Sequence, residues 1–293
     1  MRLRSLSFRL APLALVALPA ARAGSPAEGS LESSSSRYAT LDGHRIHYKS
    51  LGSGPETLVF VHGWTCDMSI WRIQASAFAK DRRVIVLDLP GHGRSDTPVI
   101  AYTIDLFARA VDAVARDAGV SRAVLVGHSM GTPVVRQFYR IFPEKTVALV
   151  AVDGSFRPLA PDAASREKFL APYRGPDYRK RLEAFADSMF PPEHAALRDE
   201  VKAVMVKTPQ HVVVSAAEGM FDPVVFKEDP IAVPLLNVLA KSPFWTPEYE
   251  AFVRQLAPGV DYRVLEGVGH FLMLQKPEEF NAILAAFLAK PRR

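Results

Sequence analysis

Short apolar runs punctuate this chain: Leu58-Val59-Phe60-Val61, Val84-Ile85-Val86-Leu87, Ala123-Val124-Leu125-Val126, residues 147–152 and Tyr262-Arg263-Val264-Leu265. Most are rich in β-branched residues and bounded by Gly, Pro or Asp, the pattern of strands buried on both faces of a parallel sheet. Helix-length segments separate them at 70–79, 103–118 and 132–142, and another closes the chain at 277–289. The alternation predicts an α/β fold, a mostly parallel central sheet flanked by helices and joined by right-handed crossovers. Residues 38–48 alternate in strand fashion ahead of the turn Gly52-Ser53-Gly54-Pro55. From Ser155 to about Ala232 the rhythm breaks. Amphipathic stretches around 166–173, 178–189 and 195–207 there predict a helical insertion, and the run at 233–239 resumes the sheet. The expected organisation is one core, 38–154 and 233–293, carrying a helical cap insertion at 155–232. With 293 residues, 48% of them hydrophobic, the chain can fill such a core as a single large domain.

The N-terminus departs from that pattern. Arg2, Arg4 and Arg9 precede an apolar run at 10–21, and Ala21-Arg22-Ala23 stands before Gly24, the basic, apolar and A-x-A order of a secretory signal peptide at 1–23. Cleavage is expected near Ala23, with export to a periplasm or the exterior. The run falls short of the ~20 residues that span a bilayer and is interrupted by Pro12 and Pro19, so no membrane span is expected in the mature form. Residues 24–37, rich in Ser, Gly, Glu and Pro, read as a flexible linker. Setting aside the four arginines of the signal brings the formal charge from +5 to +1, which indicates no basic surface for nucleic acid. Cys66 is the single cysteine; it permits no internal disulfide and reads as a small buried hydrophobe.

The candidate chemistry begins at Gly127-His128-Ser129-Met130-Gly131, which directly follows the apolar run ending at Val126 and precedes a helix-like stretch. Strand, sharp turn and helix in that order form a nucleophile elbow, whose tightness demands small residues on either side of the serine. Ser129 is the candidate nucleophile. A serine hydroxyl needs a base within hydrogen-bond reach, itself oriented by a third group. Gly267-Val268-Gly269-His270-Phe271 supplies it on a loop between the last strand and the last helix, making His270 the candidate general base. His62 and His128 read as turn-shaping or backbone-bonded, and His44, His47, His92, His194 and His211 show no metal-ligand spacing. A tetrahedral intermediate needs donors aimed at its oxyanion. The amides of Met130 and Trp64 are the candidates, with Gly63 keeping the second approachable and the Trp64 ring walling the pocket.

Val61-His62-Gly63-Trp64, the loop Asp88-Leu89-Pro90-Gly91-His92-Gly93-Arg94-Ser95-Asp96, Gly127-His128-Ser129-Met130-Gly131 and Gly267-Val268-Gly269-His270-Phe271 together resemble the α/β-hydrolase superfamily, in its compact members with a helical cap. The resemblance covers nearly all of the mature chain and implies esterase- or lipase-like activity; a serine mechanism supplies its own nucleophile and electrostatics, so no metal or organic cofactor is implied. It also implies that the loop 88–96 is structural and borders the pocket. The chain departs from the family at the triad acid. Many members place an Asp shortly after the strand that follows the cap, whereas Ala240-Lys241-Ser242-Pro243-Phe244-Trp245-Thr246-Pro247 contains no carboxylate. Asp153, after the strand at 147–152, is the favoured acid because that strand end faces the same rim as Ser129. Glu248 or Glu250 reaching back, or a dyad of Ser129 and His270, are the alternatives.

A serine at the elbow argues against haloalkane dehalogenases and epoxide hydrolases, which in this family use an aspartate. The expected activity is cleavage of small, fairly apolar carboxylic esters or lactones through an acyl-enzyme, with Trp64, Phe156 and Phe271 contacting substrate. Two other classes fit the same residues: a ligand-binding sensor on a hydrolase scaffold, motivated by the missing acid, and a cofactor-free perhydrolase or haloperoxidase.

Overall fold

The computed structural model describes residues 29–291; the expected signal peptide lies outside the described residues. Eight strands form one sheet: β1 (Arg37–Leu41), β2 (His44–Leu51), β3 (Thr57–Val61), β4 (Arg83–Leu87), β5 (Ala123–His128), β6 (Thr146–Val152), β7 (Leu235–Ala240) and β8 (Asp261–Leu265). Their order is β1-β2-β4-β3-β5-β6-β7-β8. The β1–β2 and β2–β4 pairings are antiparallel and all the others parallel. Every residue of β5 is buried, as its unbroken apolar run requires of a central strand covered on both faces.

Helices α1 (Arg72–Phe78), α2 (Ile104–Asp117) and α3 (Gly131–Ile141) follow β3, β4 and β5 as crossovers. Between β6 and β7 the chain inserts α4 (Ala163–Arg174), α5 (Tyr178–Ser188), α6 (Ala195–Met205) and α7 (Gln210–Met220). The core closes with α8 (Pro247–Leu256), the short α9 (Leu272–Gln275) and α10 (Pro277–Leu288). Thr103 caps α2 by accepting from Leu106 N, and Asp162 with Ser165 forms a capping box at α4, so both helix starts are written in local side-chain chemistry.

Three expectations are corrected. The insertion contains α7, which amphipathic patterning did not anticipate. The stretch expected as linker is docked from residue 29 onward: Leu31 is buried, its carbonyl accepts from Lys49 Nζ, and Ser36 Oγ lies 2.9 Å from His47 Nε2. One apolar side chain and a few polar contacts are enough to seat a segment whose composition is otherwise that of a linker. Finally, the loop 88–96 is structural but does not line the pocket. Asp88 is buried beneath it, accepting from His47 Nδ1 at 2.7 Å, Met68 N at 2.8 Å and Arg94 N at 2.9 Å, and this knot faces the β2 side of the sheet.

Candidate active site

Ser129 sits between β5 and α3 with φ of +54°, a left-handed conformation that costs a non-glycine residue about 1–3 kcal/mol and is held by its surroundings. Its amide donates to Val152 O at 2.9 Å, and its carbonyl accepts from Thr132 N at 2.9 Å. The flanking glycines are there for space. A Cβ on Gly127 would lie 2.2 Å from Gly131 O, and one on Gly131 would lie 2.6 Å from Val61 O. The Ser129 hydroxyl makes no intramolecular hydrogen bond among the described residues and lines the same pocket as His270.

His270 Nδ1 donates to Asp153 Oδ2 at 2.7 Å, which leaves Nε2 as the free acceptor. Asp153 is nearly buried, and its other oxygen accepts from Ala240 N at 2.8 Å and from the Trp245 indole N–H at 3.1 Å. Of the candidate acids the structure therefore brings Asp153, and not Glu248, to the imidazole. Glu248 is in the first turn of α8, where the Thr246 hydroxyl and the helix-start backbone hold its carboxyl below the usual range. Glu250 is paired with Arg254 at 2.7 Å. No sequence signal marks Trp245 as a site residue. It stands in the stretch 240–247 that lacks a carboxylate, and from there its indole reaches the acid of the neighbouring strand.

The histidine backbone is gripped on three sides. His270 N donates to Met189 O of the insertion at 3.0 Å, its carbonyl accepts from His128 Nε2 at 2.9 Å, and Gly269 N donates to Gln275 Oε1 at 2.6 Å. Burial, followed by the proximity of His270, pushes the pKa of His128 well below its ordinary value, so it serves as a neutral donor.

Trp64 and Met130 both line the pocket, and neither backbone amide has an intramolecular acceptor among the described residues. Gly63 lets the loop come close, since a Cβ there would lie 3.0 Å from Ser129 Cβ. His62 sets the orientation. Its Nε2 accepts from Leu89 N at 2.9 Å, so its protonated Nδ1 donates to Gly63 O at 2.8 Å. The Gly63 carbonyl and the Trp64 N–H share one trans peptide plane and point in opposite directions, so fixing one aims the other. Burial lowers the pKa of His62 and keeps it neutral in this role. The Trp64 indole donates to Val213 O of α7 at 3.0 Å, and its ring packs against Phe169, Tyr173 and Phe185.

The pocket encloses about 860 Å³, lined by Ser129, His270, Trp64 and Phe271 and by Phe169, Phe185, Met189, Phe190, Met205, Met220 and Phe221 of the insertion and its borders. Phe271 stacks on Phe190 at 5.0 Å with 7° between the rings. Phe156 is corrected. It is buried away from this pocket against a small separate cavity, with its amide donating to Tyr249 Oη at 3.1 Å, while its neighbours Ser155 and Arg157 line the pocket. Cys66 is buried, as expected, and burial pushes its thiol pKa far up.

Residues 58–283 match the family model described as "Alpha/beta hydrolase family". A 2-hydroxy-6-oxononadienedioate/2-hydroxy-6-oxononatrienedioate hydrolase of Paraburkholderia phymatum is 28% identical over 88% of this chain and 97% of its own. Among solved structures, an N-acyl homoserine lactone degrading enzyme is 28% identical with a TM-score of 0.74, over 86% of this chain and 100% of that one. An esterase of Thermogutta terrifontis, at 23% identity and a TM-score of 0.78 over 87% of this chain and 98% of that one, shares the fold. With its parallel sheet, its elbow and a family match over most of its length, this chain belongs to the alpha/beta hydrolase family.

Proposed function

We propose that this protein is a serine hydrolase of carboxylic esters or lactones. The observation that carries the reading is the Asp153–His270 hydrogen bond of 2.7 Å, in a pocket that also holds Ser129 on its left-handed elbow. Asp153 orients the imidazole and leaves Nε2 to accept the Ser129 proton as Oγ attacks the substrate carbonyl. The amides of Met130, at the N-terminus of α3, and of Trp64 then stabilise the oxyanion. Collapse of the tetrahedral intermediate breaks the bond to the leaving oxygen, which takes the proton back from Nε2. Water, deprotonated by the same nitrogen, releases the acyl group from Ser129. The enzyme is proposed to act after export, with the insertion as its cap.

The pocket supports a larger substrate than a simple short ester, because about 860 Å³ lies toward the upper end of what drug-sized ligands occupy, roughly 300–1,000 Å³. The similar proteins named for an N-acyl homoserine lactone and for a 2-hydroxy-6-oxononadienedioate favour the same view. The sensor alternative loses its motive once an acid stands beside His270. Burst and steady-state hydrolysis of p-nitrophenyl esters by the wild-type protein and by folded Ser129→Ala tests the reading. Turnover abolished in the variant is the expected result; equal turnover, or peroxide-dependent halogenation without esterolysis, would overturn it.

A further inference from the structure

We propose that the physiological substrate carries an anionic group, received at the pocket mouth by Lys168 and Arg157. This deepens the ester or lactone reading and rests on it. The pocket lining holds two cations without the anions that would neutralise them. Lys168 is exposed on α4, one residue before Phe169, whose ring lies 5.5 Å from that of Trp64 inside the apolar chamber. It makes no ion pair among the described residues, because its neighbour Glu167 is committed to Arg174 at 2.6 Å. Arg157 lines the same pocket. Its guanidinium lies over the Phe252 ring, 3.9 Å from the centroid, and it too has no carboxylate partner among the described residues.

The third cation of the lining, Lys241, is already engaged with Glu266 at 2.6 Å. The single acid of the lining, Asp153, is buried and occupied by His270, Ala240 N and Trp245. An arriving anion therefore meets two uncommitted cations and no exposed carboxylate in the lining. Behind them the chamber is apolar and aromatic. The complementary substrate is amphiphilic, with a hydrocarbon portion in the chamber, the scissile carbonyl at Ser129 and a carboxylate at the lip. Fixed Arg and mobile Lys suit that task, since a guanidinium stacked on a ring loses little freedom when it binds.

The test compares esters matched in size and differing in charge. On the acyl side, the p-nitrophenyl half-ester of adipic acid is set against its ω-carboxamide; on the leaving-group side, 3-carboxyphenyl butanoate is set against 3-carbamoylphenyl butanoate. In at least one pair kcat/KM is expected to favour the anion by about three- to tenfold. That preference should fade at 1 M salt, where the screening length is about 3 Å. In Lys168→Glu, and further in Lys168→Glu/Arg157→Glu, the ratio within the pair is expected to invert. Turnover of both members without preference, or a preference that survives Lys168→Glu and the double charge reversal, overturns the anionic proposal and leaves the hydrolase reading standing. No turnover of any of the four esters overturns both.

Discussion

Asp153 holds a φ of +44°, so the two residues that immediately follow β5 and β6, Ser129 and Asp153, both stand in left-handed conformations at the same rim. Asp tolerates that region better than most residues, and the payoff is a carboxylate turned to face the β8–α9 loop that carries His270. Gly154 follows because nothing larger fits: a Cβ there would lie 2.1 Å from Thr132 Oγ1 and 2.6 Å from Ser129 O. In Asp153→Asn the amide would keep Ala240 N and Trp245 satisfied through its oxygen while presenting NH₂ to His270 Nδ1. That forces the proton onto Nε2, where the imidazole can no longer act as a base. Ester turnover is expected to fall by about 10³–10⁴-fold with far-UV circular dichroism unchanged; a loss of less than tenfold would mean that Asp153 is not the working acid. Sequence alone left Asp153, Glu248, Glu250 and a dyad in competition, because strand-end position is visible in a pattern but side-chain reach is not. Phe156 departs from expectation for the same reason: nearness to Asp153 in the chain does not say on which side of the backbone a side chain falls, and Ser155 and Arg157 line the pocket while Phe156 faces a separate cavity.

The insertion is fastened to both loops that frame the serine. Trp64 Nε1 and Thr65 O are bonded to Val213 O and Thr208 Oγ1 at 3.0 and 3.1 Å, and His270 N is bonded to Met189 O at 3.0 Å. A swing of these helices would therefore disturb the Trp64 loop and the His270 loop together. Gly269 marks the tightest seam, since a Cβ there would lie 2.3 Å from Met189 O and 3.0 Å from Pro191 Cδ. Gly269→Ala is expected to cut kcat by about tenfold or more by displacing His270, with secondary structure retained; wild-type kcat in the variant would show that the seam does not position the histidine. The inner strands of the sheet were legible because burial on both faces writes an unbroken apolar run; β8, expected to be buried likewise, is an edge strand with Arg263 and Val264 exposed. Helix α7 was not, because Val212-Val213-Val214 is a β-branched run of poor intrinsic helix propensity. Packing overrides propensity here, with Val212 and Val213 fully buried and Val213 O accepting from the Trp64 indole. Leu31 is the converse case, a lone apolar residue in a polar segment whose docking partner only the folded sheet creates.

At the scale of the whole molecule, a second buried polar knot lies beside the rim that carries Ser129 and is tied to it through the Leu89 N–His62 hydrogen bond of 2.9 Å. The knot is Asp88 with His47, both about 2% exposed, on the side where the antiparallel β1 and β2 are added to the parallel strands. Gly93, at φ of +54°, lets the 88–96 loop fold over the carboxylate; a Cβ there would lie 2.3 Å from Asp88 Cγ. Burial alone would raise the pKa of Asp88, but hydrogen bonding from His47 and from the amides of Arg94 and Met68 outweighs it and holds the carboxyl below its ordinary value. A carboxyl depressed in the folded state contributes stability that is fully present above its unfolded pKa of about 3.9 and is lost as pH falls through the folded value. Replacing Asp88 with Asn removes one partner of a buried pair and is expected to cost about 3 kcal/mol at neutral pH. Because the wild type loses this contribution in acid while the variant never had it, the gap between their unfolding free energies should narrow steadily below about pH 4. Urea denaturation of the two proteins from pH 7 to pH 3 measures that gap. A difference that stays constant across the range would mean that Asp88 stabilises the loop through packing and neutral hydrogen bonds rather than through its charge.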